Sequence, residues 1–126
     1  MFDSELMKIA NTLVGYCREG KEAQGLNELY AENAVSAEAA DMGNGAETKG
    51  LEAIRGKHEW WNNAFEVHSA EGEGPFLHGQ NSFGAVFSID ATNKETGERN
   101  KMTEMAFYTV ESGKISREEF FYSAQD

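Results

Sequence analysis

Cysteine occurs once, at Cys17, and proline once, at Pro75, in a chain of 126 residues. A lone thiol excludes an intramolecular disulfide, so the core must hold the fold, and the expected compartment is the reducing cytoplasm. Basic residues are scarce too: 11 Lys and Arg stand against 22 Asp and Glu, a formal charge of −11. Such a surface repels phosphate backbones and anionic lipid, so neither nucleic acid nor a membrane is an expected partner. No apolar run approaches the roughly 18–20 residues of a bilayer span. The opening M-F-D-S-E-L-M-K carries acids where a secretory leader needs bases. His58, His68 and His78 fall on different predicted elements without ligand spacing, so a metal site lacks support. No G-x-x-x-x-G-K-[ST], G-x-G-x-x-G or G-x-S-x-G string occurs. Nucleotide-loop and serine-elbow chemistry therefore lack a basis, and no cofactor is expected. Cys17 sits on an apolar helical stripe, where packing is a better account of it than nucleophilicity.

What the chain does have is enough apolar residue, 40%, to bury a core within one domain over residues 1–126. Leu6, Ile9, Ala10, Leu13, Tyr16 and Cys17 recur at three- and four-residue spacing, which predicts a helix from Ser4 to near Gly20. A second helix is predicted from about Glu22 to Ala31–Asn33, followed by a short extended piece over residues 34–37. Residues 38–49 are polar and glycine-rich and read as a loop. A third helix starts near Gly50 with Leu51, Ile54, His58, Trp61 and Phe65 on one face. Strands follow over residues 66–73, briefly at 76–78, and at 82–91, where Phe83, Ala85, Phe87 and Ile89 alternate with smaller or polar residues. The last third, residues 100–123, reads as a hairpin turning at Ser112-Gly113. Both faces of that hairpin carry large apolar groups, so the sheet should be covered on both sides. Helices segregated from antiparallel strands make an α+β fold.

Three strings carry a resemblance. They are Gly25-Leu26-Asn27-Glu28-Leu29-Tyr30-Ala31-Glu32-Asn33-Ala34-Val35, Lys49-Gly50-Leu51-Glu52-Ala53-Ile54-Arg55, and Ser112-Gly113-Lys114-Ile115. In this order and spacing the chain resembles the nuclear transport factor 2-like superfamily, in particular its SnoaL-like and ketosteroid-isomerase-like members, over nearly its whole length. The resemblance implies a cone in which a curved antiparallel sheet wraps three N-terminal helices around a pocket. It further implies a homodimer through the outer sheet face. It implies no single activity, because this fold hosts isomerases, cyclases, dehydratases, hydrolases and binders.

By the same resemblance, Glu38 falls where ketosteroid isomerases keep their proton-shuttling carboxylate; the alternative is an exposed loop glutamate. The isomerase oxyanion donors are not matched. Met105 stands at the place of the acid, and Tyr16 lies a turn away from the place of the tyrosine, near Leu13. That departure argues against steroid isomerisation by the same mechanism. His58, on the inner stripe of the third helix, is either an acid–base group near pH 7 or a core histidine. If Met105 faces the pocket, an unbulged hairpin puts Ser116, Glu118, Phe120 and Tyr122 there as well. Glu118 is then either an acid–base group or the partner of Arg55 or Lys57. A one-residue bulge would instead bring Arg117 and Glu119 inward; otherwise these two, with Ile115 and Phe121, suit the outer interface. The candidate catalytic residues are thus Glu38, His58 and Glu118. Tyr16, Trp61, Phe87, Met105, Phe107, Phe120 and Tyr122 are the candidate contacts for a small, largely apolar carbonyl or hydroxyl compound. The reading is an acid–base enzyme without cofactor; the alternative is a non-catalytic binding or dimerisation module.

Overall fold

The computed structural model describes residues 4–39 and 45–122. Three helices, α1 (Ser4–Glu19), α2 (Glu22–Leu29) and α3 (Leu51–Ala64), pack on one face of a curved, unclosed six-stranded sheet. The strands are β1 (Tyr30–Ala37), β2 (Glu47–Lys49), β3 (Phe65–His78), β4 (Ser82–Asn93), β5 (Arg99–Glu111) and β6 (Lys114–Phe121), in spatial order β2-β1-β6-β5-β4-β3. All neighbours are antiparallel except β1 and β6, which run parallel.

The first helix forms as its stripe requires, with Leu6, Ile9, Ala10, Leu13 and Val14 buried. It lies over β3, where Arg18 donates from Nε and Nη2 to the Gly72 carbonyl oxygen at 3.0 and 2.6 Å. Gly72 suits this close approach, since a Cβ would sit 3.2 Å from the Phe87 ring and press on it. The second helix is shorter than its sequence suggests. Tyr30 is already strand, paired with Ile115, and its ring is buried, so tertiary pairing overrides local helix propensity. The stretch read as a loop after Ala37 contains β2, which pairs Glu47, Thr48 and Lys49 with Ala37, Ser36 and Val35. The two pieces read after α3 form one strand, β3, with a register shift between Glu73 and Phe76.

The hairpin turns where expected, with Ser112 and Gly113 both in the left-handed region at φ 51° and 78°. Its faces are reversed from the reading above. On β5 the buried residues are Ala106 and Tyr108, while Met105 is 55% exposed. The reason lies one strand over: Phe83, Ala85 and Phe87 of β4 point inward and pair with Tyr108, Ala106 and Glu104. A register shift at Thr109/Val110 also inserts Ser116 as an extra residue, so Ile115 and Glu118 both face inward. The wrong face and the missed bulge cancel at Glu118, which therefore points into the fold, with Arg117 and Glu119 on the other side.

Candidate active site

The inner sheet face is not uniform. Around β4 it is dry, with Phe83 stacked on Tyr108 at 4.8 Å against Leu6, Leu13 and Leu26. Polar groups begin beside it, in the same row, toward β6 and β1. Ser36, Glu118 and Tyr108 lie side by side across β1, β6 and β5. The next row holds Phe120 beside Ala106, and the next has Glu104 beside Phe87. Tyr122 continues β6 past its last paired residue.

Glu118 is 2% exposed. Its Oε1 accepts a hydrogen from the Tyr30 hydroxyl, and its Oε2 has no partner among the described residues. Burial drives this carboxyl above the usual range, against the opposing pull of the Tyr30 and Ser36 hydroxyls and Lys57. Glu104 makes no hydrogen bond or ion pair with another described residue, and burial followed by repulsion from Glu38 and Glu118 pushes it up to about 7. Glu38 sits at the rim of this cluster. Its Oε1 accepts from the Tyr122 hydroxyl at 3.0 Å, and its Oε2 pairs with Lys57 Nζ. Lys57 also donates to Ser36 Oγ at 2.8 Å and lies 5.3 Å from the Phe120 ring centroid. Burial, then Glu38, raises Tyr122 to about 12. His58 is half-buried, and burial followed by the Lys57 charge lowers its pKa, which keeps the imidazole neutral near pH 7. Burial lifts Cys17 to about 12, so it stays a thiol.

Glu38, Glu118, Phe120 and Tyr122 therefore come together, with His58 close enough to feel the Glu38 charge. The remaining candidates lie apart. The Tyr16 hydroxyl donates to Glu28 Oε1 at 2.7 Å on the α1–α2 side. Met105 and Phe107 lie on the opposite face of the sheet, with Phe107 6.0 Å from His78. Trp61 stacks on Phe65 at 4.2 Å, and Phe87 is buried beside Glu104. An open cleft of about 430 Å³ runs past Trp60, Phe65 and Lys94, away from the carboxylates. Sequence reasoning missed Glu104 and Tyr30 as members of the cluster; it offered Lys57 or Arg55 as the partner of Glu118, whereas Lys57 pairs with Glu38 and Arg55 bonds Glu52 and Asn27. The available signal was the alternation of Glu104 with Ala106 and Tyr108, one face of β5. Among the described residues no group of His, Cys, Asp and Glu is arranged to hold a metal ion.

The SnoaL-like domain profile matches residues 6–122. The chain belongs to the SnoaL-like family. A candidate SnoaL-like polyketide cyclase from Mesorhizobium loti, also called a carbohydrate phosphatase, is 38% identical. The alignment covers 93% of this chain and 98% of that one, with a TM-score of 0.87. A candidate isomerase from Bacillus subtilis (19% identity, 96% and 88% covered, TM-score 0.78) shares the fold. So does a computationally designed 17-OHP binder (15% identity, 98% and 96% covered, TM-score 0.76). No curated protein matches the sequence. The SnoaL-like chain thus sits in the nuclear transport factor 2-like superfamily, and none of its described helices is long and apolar enough to cross a membrane.

Proposed function

We propose that this SnoaL-like protein is a cofactor-independent acid–base enzyme acting on a small, largely apolar carbonyl or hydroxyl compound in the cytoplasm. The reaction class is proton transfer leading to isomerisation, aldol-type cyclisation or dehydration. The observation that carries the reading is the convergence of Glu38, Glu104 and Glu118 on one half-sheltered end of the inner face. A carboxyl near pH 7 can both give and accept a proton at neutral pH, and Glu104 has that property. Glu38, at the rim, is the group positioned to abstract a proton from a bound carbon acid. Glu104 and neutral His58 are the groups to return one, and Glu118 with Tyr30 fixes the floor. The Mesorhizobium loti relative supports cyclase-type chemistry by its similarity.

The direct test is proton exchange. Small apolar ketones incubated with the protein in deuterium oxide should gain deuterium beside the carbonyl faster than in buffer. Glu38→Gln should lower that rate at least about 100-fold, the scale of a positioned general base. Ketones that bind without exchanging would leave the second reading, a non-catalytic binder. That reading draws on Glu38 being already held by Lys57 and Tyr122.

The homodimer belongs to the same proposal. Met105 and Phe121 are paired neighbours on the outer face, 55% and 51% exposed, and Phe76 lies on the same face at 55%. Met105→Asp should give a monomer by light scattering if this face joins two copies; an unchanged dimer mass would remove that interface.

A further inference from the structure

We propose that the Lys57 ammonium is the oxyanion-holding group of this site. The inference rests on the acid–base reading above and adds a residue to it.

Lys57 reaches the cluster from α3. An ammonium has three hydrogens to donate. Two have acceptors, Ser36 Oγ at 2.8 Å and Glu38 Oε2; the third has none among the described residues. The Lys57 and Glu38 side chains are 27% and 26% exposed, sheltered enough for charge to matter and open enough for a ligand to reach them. Tyr122 already gives its hydrogen to Glu38, and the Ser36 hydroxyl is directed at Glu118. Lys57 therefore offers a spare, charged donor beside the base.

Charge conservation makes the pair suited to enolate formation. In the free site Glu38 carries a negative charge opposite Lys57. When the carbon–hydrogen bond beside a carbonyl breaks, the proton goes to a Glu38 oxygen and the bonding pair forms a carbon–carbon double bond. The carbonyl π pair moves to oxygen. Negative charge passes from Glu38 to the ligand oxygen while Lys57 stays in place, so one ion pair is exchanged for another without a net change of charge. Reprotonation from Glu38 at the same or a conjugated carbon restores both groups. Burial raises both Glu104 and Glu118 above the usual carboxyl range, which favours their neutral forms and lessens their opposition to an incoming oxyanion. The groups facing Lys57 are Ser36 and Glu38 after β1, Glu104 on β5, Glu118, Phe120 and Tyr122 along β6, and His58 on α3.

Nitrophenols, whose phenolate form absorbs visibly, act as enolate stand-ins that need no turnover. The pKa of a nitrophenol bound to the wild-type protein should fall by about one unit, a tenfold preference for phenolate. The shift should vanish in Lys57→Met, survive in Lys57→Arg, and grow in Glu38→Gln, where no carboxylate competes for the ammonium. An equal shift in wild type and Lys57→Met overturns the proposal. So does preferential binding of neutral phenol, failure to bind phenolate while neutral ketones bind, or a borohydride-trapped adduct on Lys57, which would make it a nucleophile. Arginine at this position keeps the charge, so loss in Lys57→Met alone is assigned to charge and not to unfolding. Deuterium uptake that survives in Lys57→Met keeps the acid–base reading and removes this one. Shifted phenols without deuterium uptake would remove the acid–base reading and leave Lys57 as an anion-binding group only.

Discussion

Two parts of the inner sheet face share a row of residues but not chemistry. At the apolar end of that row Phe83 and Tyr108, with Leu6 and Leu13, fill the space between sheet and α1 with apolar rings and branched chains. At the polar end Glu118 and Ser36 point inward, Glu104 joins them from β5, Lys57 reaches them from α3, and Ala106 and Ala85 are the small neighbours. Burial stabilises the first end by removing carbon from water. In the second it works against charge, and a carboxyl there survives by keeping its proton. A fold that needed only stability would extend the first solution along the whole face. Holding carboxyls in the second state costs stability and provides groups that exchange protons near neutrality.

Mutations should separate the two ends. Phe83→Ala, in the dry end, should cost about 3–5 kcal/mol in urea unfolding, the usual range for deleting a buried ring. A loss below about 1 kcal/mol would mean that this end is not the stabilising core. Glu104→Gln should show the opposite trend, and only with pH. The folded carboxyl titrates at about 7 against 4.5 in the unfolded chain. Between those values the unfolded state releases a proton that the folded state keeps, so wild-type stability falls as pH rises through the window. After allowance for its partial exposure, wild type should lose about 2 kcal/mol relative to Glu104→Gln from pH 4.5 to 7.5. Parallel stability curves for the two proteins would place Glu104 in water. Tyr16→Phe belongs to neither end, since it removes only two exposed bonds, one donated to Glu28 and one accepted from Gln24, and should change stability by less than about 1 kcal/mol. It should leave deuterium exchange untouched; a loss of exchange would bring α1 into the site.

The apolar end was the legible one. Spacing in α1 marks Leu6 through Leu13 as buried, and alternation in β4 marks Phe83, Ala85 and Phe87, because a single face of each element is apolar. The polar end was legible only in part. Glu38 follows from its place after the Leu29-Tyr30-Ala31 string, yet Lys57, its partner, is a helical lysine like any other until α3 is docked on β1. In β5 the alternating sets Thr103/Met105/Phe107 and Glu104/Ala106/Tyr108 are both mixtures of polar and apolar residues. Pairing with β4, a tertiary fact, decides between them. The Ser116 bulge is likewise invisible locally, since nothing in I-S-R-E differs from an ordinary edge of a hairpin.

The claim that joins these points is that the buried Glu104 carboxyl keeps its proton to near neutral pH, and a carbon-13 NMR titration of glutamate side-chain carboxyls tests it most directly. Assigned by Glu104→Gln, the Glu104 resonance should titrate with a midpoint near 7. A midpoint at the ordinary glutamate value of about 4.3 would contradict the account and leave the cluster as a solvated rim.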